Sequence, residues 1–157
     1  MDFVTYEAIT RLRYLYAQSI DTRDWTQLRS IFTDEISMDF TSYSGGSPAT
    51  LAADDWVEGL KPLFTGLSAT QHVMTNPLIE VDGEQATQRM YMKAEHFYQE
   101  DGGMSEFAIG GYYDDQLIYA DRRWLICGVT LTVLWRRGDE GIMLKAREAG
   151  TKLLLPA

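Results

Sequence analysis

A single cysteine, Cys127, excludes an internal disulfide, so non-covalent packing alone must hold this 157-residue chain together. Cys127 lies in an apolar alternation with Leu125, Val129, Leu131 and Val133. That pattern predicts a buried, inert thiol in a reducing compartment. Positive charge is also scarce: 14 Lys and Arg stand against 23 Asp and Glu, a net charge of −9. The imbalance argues against non-specific nucleic-acid binding and against docking on an anionic membrane. No apolar run approaches the length of a membrane span, and the opening Met1-Asp2-Phe3 carries no basic, apolar leader pattern. The expected location is therefore the cytoplasm. Gly-rich phosphate loops, nucleophile elbows and dinucleotide fingerprints are missing. No pair of His or carboxylate residues has metal-ligand spacing on one element. Neither a cofactor nor a metal is expected.

What remains is globular, with 45% apolar and 12% aromatic residues, enough for one domain with a real core. Residues 5–21 read as an amphipathic helix, with Ile9, Leu12, Tyr16 and Ile20 on its apolar face and Arg11 and Arg13 off it. After a break at Thr22-Arg23, Asp24 caps a second helix to about Phe32. Residues 36–43 alternate as a strand, and Ser44-Gly-Gly-Ser-Pro48 is a loop. A third helix starts at Asp54 or Asp55 and runs to about Thr65, with Pro62 predicting a kink or an early end.

Four long strands follow, over 69–81, 85–99, 104–119 and 124–136, joined by turns at Asp82-Gly83, Asp101-Gly-Gly103 and 120–123. A final helix is expected from Asp139, closing the pocket or reaching a neighbouring subunit. Helices first and strands later make the class α+β, with the helices on one face of a curved antiparallel sheet.

Alternation assigns side chains to faces. On 85–99, Ala86, Gln88, Met90, Met92, Ala94, His96 and Tyr98 point inward. On 69–81, His72, Met74, Asn76 and Leu78 share a face opposite Val73, Thr75 and Ile79. On 105–117, Phe107, Ile109, Gly111, Tyr113, Asp115 and Leu117 alternate inward, with Gly111 leaving room for a ligand or for a bend. The Asp82-Gly83 turn makes the two histidine strands neighbours, so His72 and His96 can share a cavity.

Asp21 ends the first helix, where the helix dipole disfavours a carboxylate unless a donor or cation meets it. An inward histidine oriented by that carboxylate is a general base, and Tyr16 is a candidate donor to an oxyanion. Each of these groups could equally be a satisfied core polar residue. Trp25, Trp56 and Trp124 read as core anchors, Asp114-Asp115 as a strand rim, and Arg136-Arg137 as a solvated strand end.

The words Leu15-Tyr16, Asp21 through Trp25 with Leu28 and Phe32, Thr70-Gln71-His72, Val81-Asp82-Gly83, Gly111-x-Tyr113-x-Asp115-x-Leu117 and Trp124-Leu125-Ile126 resemble, as a set, the SnoaL-like or nuclear-transport-factor-2-like superfamily. They span about residues 5–137. The resemblance implies a cone: a curved antiparallel sheet, of the cystatin-like α+β roll type, wrapped by N-terminal helices around a deep pocket.

Within it, the scytalone dehydratase branch is similar in placing an Asp at Asp21 and histidines at His72 and His96, although its two tyrosines fall on Ile20 and Phe40 here. Bile-acid dehydratases are similar in the spacing of Tyr16 and Asp21, and hexachlorocyclohexane dehydrochlorinase in an Asp–His dyad at Asp21 and His72. The resemblance implies a cofactor-independent lyase acting on a small cyclic substrate. His72 would be its base and Asp21 the orienter. Tyr16 and His96 would act as donors, and Tyr113, Phe40 and Met92 would shape the pocket.

The alternatives are a ketosteroid-isomerase or polyketide-cyclase type isomerase, and a non-catalytic ligand binder or oxygenase β-subunit-like module. A lyase predicts a closed, largely apolar cavity with His72 within hydrogen-bond reach of Asp21, whereas an assembly module predicts a cavity filled by its own side chains. Tyr91, Phe97 and Tyr112 on the convex sheet face predict a homo-oligomer, dimer or trimer.

Overall fold

The computed structural model describes residues 1–155. Helix α1 (Phe3–Thr22) begins at Asp2, whose side chain accepts a hydrogen bond from the Thr5 N–H at 2.8 Å. A short α2 (Trp25–Ser30) follows, capped by Asp24. Strand β1 (Phe32–Asp39) lies four residues earlier than the alternation predicts. Asp39 ends it by accepting from the Thr41 N–H and hydroxyl, which starts the one-turn α3 (Thr41–Ser44). A short strand β2 (Ala49–Ala52), which carries no clear periodicity, leads into α4 (Ala53–Gly66). That helix continues past Pro62 rather than ending there. Strands β3 (Ala69–Asp82), β4 (Gln85–Glu100), β5 (Gly103–Ala120) and β6 (Arg123–Gly138) form the long meander, and α5 (Gly141–Leu154) closes the described chain.

The six strands make one open sheet in the order β2-β1-β6-β5-β4-β3. Every pairing is antiparallel except β1 with β6, which run parallel. The sheet curls around the helices, and the core fills its concave side with Ile9, Ile20, Leu28, Ile36, Met90, Phe107 and Ile126. Among the described residues, no helix is long and apolar enough to cross a membrane.

Three bulges shape the long meander. In β3 the register shifts between Thr75 and Leu78, where Asn76 takes a positive φ of 56° and Pro77 has no N–H to donate. The shift turns Leu78 outward and Ile79 toward the core, reversing the faces expected beyond Asn76. At the second bulge, a Cβ on Gly111 would lie 1.9 Å from the Thr132 carbonyl oxygen. The glycine therefore admits a close backbone approach at a bend and does not clear space for a ligand. At the third, between Gln116 and Leu117, Cys127 is the extra residue on β6, so it is half-buried rather than a core thiol. Burial still pushes its thiol pKa up, consistent with an unreactive group.

The largest departure from the expected faces is Arg13. It is fully buried, its Nε donates to Asp115 Oδ2 at 2.7 Å, and its Nη2 donates to Asp115 Oδ1. Asp115 is thus the buried half of an ion pair and not a rim residue, while Asp114 pairs with Arg89 outside. Burial opposes the Arg13 charge, but Asp115 outweighs it and holds the guanidinium charged. The pair clamps α1 to β5 in the apolar core. Arg13→Met leaves the Asp115 charge buried alone and is expected to cost about 3–5 kcal/mol in urea unfolding. The double variant Arg13→Met/Asp115→Leu is expected to recover most of that loss.

Candidate active site

Helix α1 and strand β3 meet where the last turn of the helix lies against the end of the sheet. The carboxylate of Asp21, the penultimate residue of α1, accepts three hydrogen bonds. His72 Nδ1 lies 2.7 Å from its Oδ1, the His72 backbone N–H donates to its Oδ2 at 2.8 Å, and the Thr70 hydroxyl donates to its Oδ1 at 2.9 Å. Thr70 and His72 can both reach it because alternate residues of a strand share a face. Burial tends to raise the Asp21 carboxyl, but the His72 and Thr70 hydrogen bonds outweigh it and hold the group below the usual carboxylate range. An ionised Asp21 cannot donate, so the proton in the short bond sits on His72 Nδ1. In the neutral ring the lone pair is then on Nε2, and the side chain is only 4% exposed.

The β3 bulge decides that His72 faces inward. Counting back from the Asp82–Gln85 pair, an unbroken ladder would set His72 opposite Glu95 and on the outer face. The extra residue sets it opposite Ala94 instead, and Thr70 opposite His96. The two imidazoles are consequently diagonal neighbours, 5.8 Å apart and edge to face, with the Phe64 ring near both.

His96 differs from its expected role as a donor. Its Nδ1 lies 3.1 Å from the Phe107 carbonyl, an acceptor only, so Nδ1 carries the proton and Nε2 is a lone pair. Burial, then the neighbouring His72, lowers its pKa to about 4. His96 is a neutral acceptor at physiological pH.

Both rings line a cavity of about 460 Å³ bounded by α1, α3, α4, α5 and the sheet. Tyr16, Tyr113, Phe40 and Met92 also line it, as the sequence places them. Tyr16 and Tyr113 are edge to face at 5.7 Å, and the Arg13 guanidinium lies 4.6 Å and 3.8 Å from their ring centres. Burial raises both phenols despite the opposing effect of Arg13, so they keep their protons.

The remaining wall is apolar and aromatic, with Trp56 tilted against Phe40 at 5.1 Å. Trp56 is therefore a cavity wall rather than a plain core anchor. Among the methionines, Met92 reaches the cavity, while Met38, Met74 and Met90 are core. The C-terminal helix closes this chain's own pocket through Met143 and Arg147. Among the described residues, no three His, Cys, Asp or Glu side chains gather as a metal site.

Two groups of site residues escape a periodicity reading. Thr70 stands two residues before His72 on one face, a signal that was available. Arg23 occupies an irregular turn, and the α4 and α5 wall residues depend on how helices pack. Arg13 does fall on the apolar stripe, between Ile9 and Tyr16, and an inward Asp115 is its natural complement.

Comparisons with known proteins identify a family and a shared fold. The SnoaL-like domain matches residues 3–130. A dehydratase of Pestalotiopsis microspora is 30% identical over 103 residues, covering 63% of this chain and 65% of that protein, slightly under two thirds of its length. A Kribbella flavida protein superposes with a TM-score of 0.82 at 27% identity, over 92% of this chain and 99% of its own. A candidate scytalone dehydratase from Novosphingobium aromaticivorans gives a TM-score of 0.75 at 22% identity, over 87% and 89%. A hexachlorocyclohexane dehydrochlorinase from Novosphingobium barchaimii gives 0.68 at 17%, over 88% and 92%. The last two likenesses establish the shared fold.

The state of His96 has a consequence for stability. An unfolded histidine binds its proton near pH 6.5, but folded His96 does so only near 4, so the unfolded chain takes up the proton first as pH falls. Stability from neutral His96 is complete above pH 6.5 and is lost progressively between 6.5 and 4, amounting to about 3 kcal/mol. Urea unfolding across that range is expected to show a shallower pH dependence for His96→Phe than for the parent protein.

Proposed function

The chain belongs to the SnoaL-like family, and from its site we propose that it is a cofactor-independent lyase that removes water from a small cyclic β-hydroxyketone. The observation that carries this reading is the Asp21–His72 bond at 2.7 Å beside a cavity of about 460 Å³. A ring nitrogen with a lone pair, oriented by a carboxylate and shielded from bulk water, is a general base. The P. microspora relative, named as a dehydratase, supports the reaction class.

In the proposed reaction, His72 Nε2 takes a proton from the carbon next to the substrate carbonyl. The electron pair moves onto the carbonyl oxygen, giving an enolate that accepts a hydrogen bond from the Tyr16 or Tyr113 phenol. The enolate then reforms the carbonyl and expels hydroxide from the β-carbon. Hydroxide takes the proton back from the His72 imidazolium and leaves as water, so the enzyme returns to its starting state. His96 Nε2 accepts from the departing hydroxyl before it leaves, which orients that group. His96 supplies no proton, because its own is committed to the Phe107 carbonyl. Phe40, Met92 and Trp56 hold the apolar ring of the substrate.

3-Hydroxy-1-tetralone is a suitable probe, because loss of water gives 1-naphthol, which is read directly by fluorescence. The parent protein is expected to accelerate its formation. His72→Ala and Asp21→Asn are each expected to lower kcat by about 10²–10⁴-fold, the usual contribution of general acid–base catalysis. Unchanged turnover in His72→Ala would remove the proposed base. Isomerisation of 3-cyclohexenone without any dehydration of the tetralone would favour the isomerase reading of the same pocket.

A further inference from the structure

Arg23 sits just past the end of α1 with a φ of 62°, in the left-handed region that residues bearing a Cβ seldom adopt. The turn brings its side chain back beneath the helix end. Nη1 donates to the Ile20 carbonyl at 2.6 Å, to the Asp21 carbonyl at 3.1 Å and to the Thr70 hydroxyl oxygen at 2.8 Å. An arginine can only donate. The Thr70 oxygen, already an acceptor from Arg23, therefore turns its own proton toward Asp21 Oδ1, the oxygen that also accepts from the His72 ring.

We infer that Arg23 and Thr70 are positioning residues: the arginine sets the direction of the Thr70 hydroxyl, and that hydroxyl holds the Asp21 carboxylate in register with the His72 ring. The inference rests on the His72 base proposed above and extends it to the residues behind the carboxylate. It also explains why an αL arginine, rather than the glycine or asparagine usual at such a helix end, stands here. The cation meets the negative end of the helix dipole.

The charged and titratable groups around His72 are Asp21 and Arg23 at the end of α1 and His96 on β4. Helix α4 presents the Phe64 ring, with Asp55 further along it at the cavity mouth, and α5 contributes Arg147 there.

The test needs no substrate. With only two histidines in the chain, the imidazole resonances of each can be titrated by NMR, and His72→Ala identifies them. Arg23→Gln removes the cation, and Thr70→Val removes the hydroxyl while keeping the shape. Thr70→Val is expected to lower the His72 pKa, by about half a unit or more, because a carboxylate no longer held in register with the ring stabilises the imidazolium less. Thr70→Ser is expected to restore the parent titration.

Arg23 also caps the helix, so Arg23→Gln is expected to lower Tm as well, whereas the titration of Thr70→Val reads the relay with the helix cap intact. A His72 titration that is unchanged or shifted upward in Thr70→Val would overturn the inference and leave Arg23 as a helix cap. Because the readout is a resting-state titration, failure of the tetralone reaction leaves this result standing, and the converse also holds.

Discussion

A carboxylate at the negative end of a helix must be met by donors, and most of this site follows from how Asp21 is met. Strand β3 supplies the backbone N–H and ring of His72 and the hydroxyl of Thr70, all within 2.9 Å. Those contacts tie α1 to the sheet at the point where the cavity begins. They also fix the His72 tautomer, since an ionised Asp21 accepts only from a protonated Nδ1. The same interaction therefore joins two elements and prepares a nitrogen for proton transfer.

The sheet irregularities serve that arrangement. One extra residue at Asn76–Pro77 converts His72 from an outward to an inward side chain, because the side-chain period of a strand is two. On the far side of the cavity, α4 and α5 touch backbone to backbone: a Cβ on Gly66 would lie 1.8 Å from the Ala146 carbonyl oxygen, and one on Gly150 1.8 Å from that of Pro62. Contact this close makes α5 a fixed wall over its own pocket. Behind the tyrosines, the buried Arg13–Asp115 pair anchors the middle of α1 to β5, as the Asp21 contacts anchor its C-terminal end to β3.

Much of this was legible in the chain itself. Period-two alternation placed His96, Met92 and Tyr113 on the concave face, and the cavity contains all three. The awkward position of Asp21 announced that it needed a partner. The short β2 was hidden because four residues show no useful periodicity, and the parallel β1–β6 pairing because non-local contacts leave no local pattern. Arg13 escaped because a charge on an apolar stripe is read as an interruption until its complement, Asp115, is considered with it. The bulge at Asn76–Pro77 was visible only as an asparagine before a proline. Its effect on every face beyond it depends on register, which a single strand does not encode.

The chemistry reduces to whether His72 takes a proton from carbon beside a carbonyl. Deuterium exchange into 1-tetralone, which has the ketone but no leaving group, isolates that step. In deuterated buffer the protein is expected to speed exchange at the carbon next to the carbonyl well above the buffer rate, and His72→Ala to return it to that rate. Exchange no faster than buffer, or equally fast in His72→Ala, would contradict the assignment of His72 as the base.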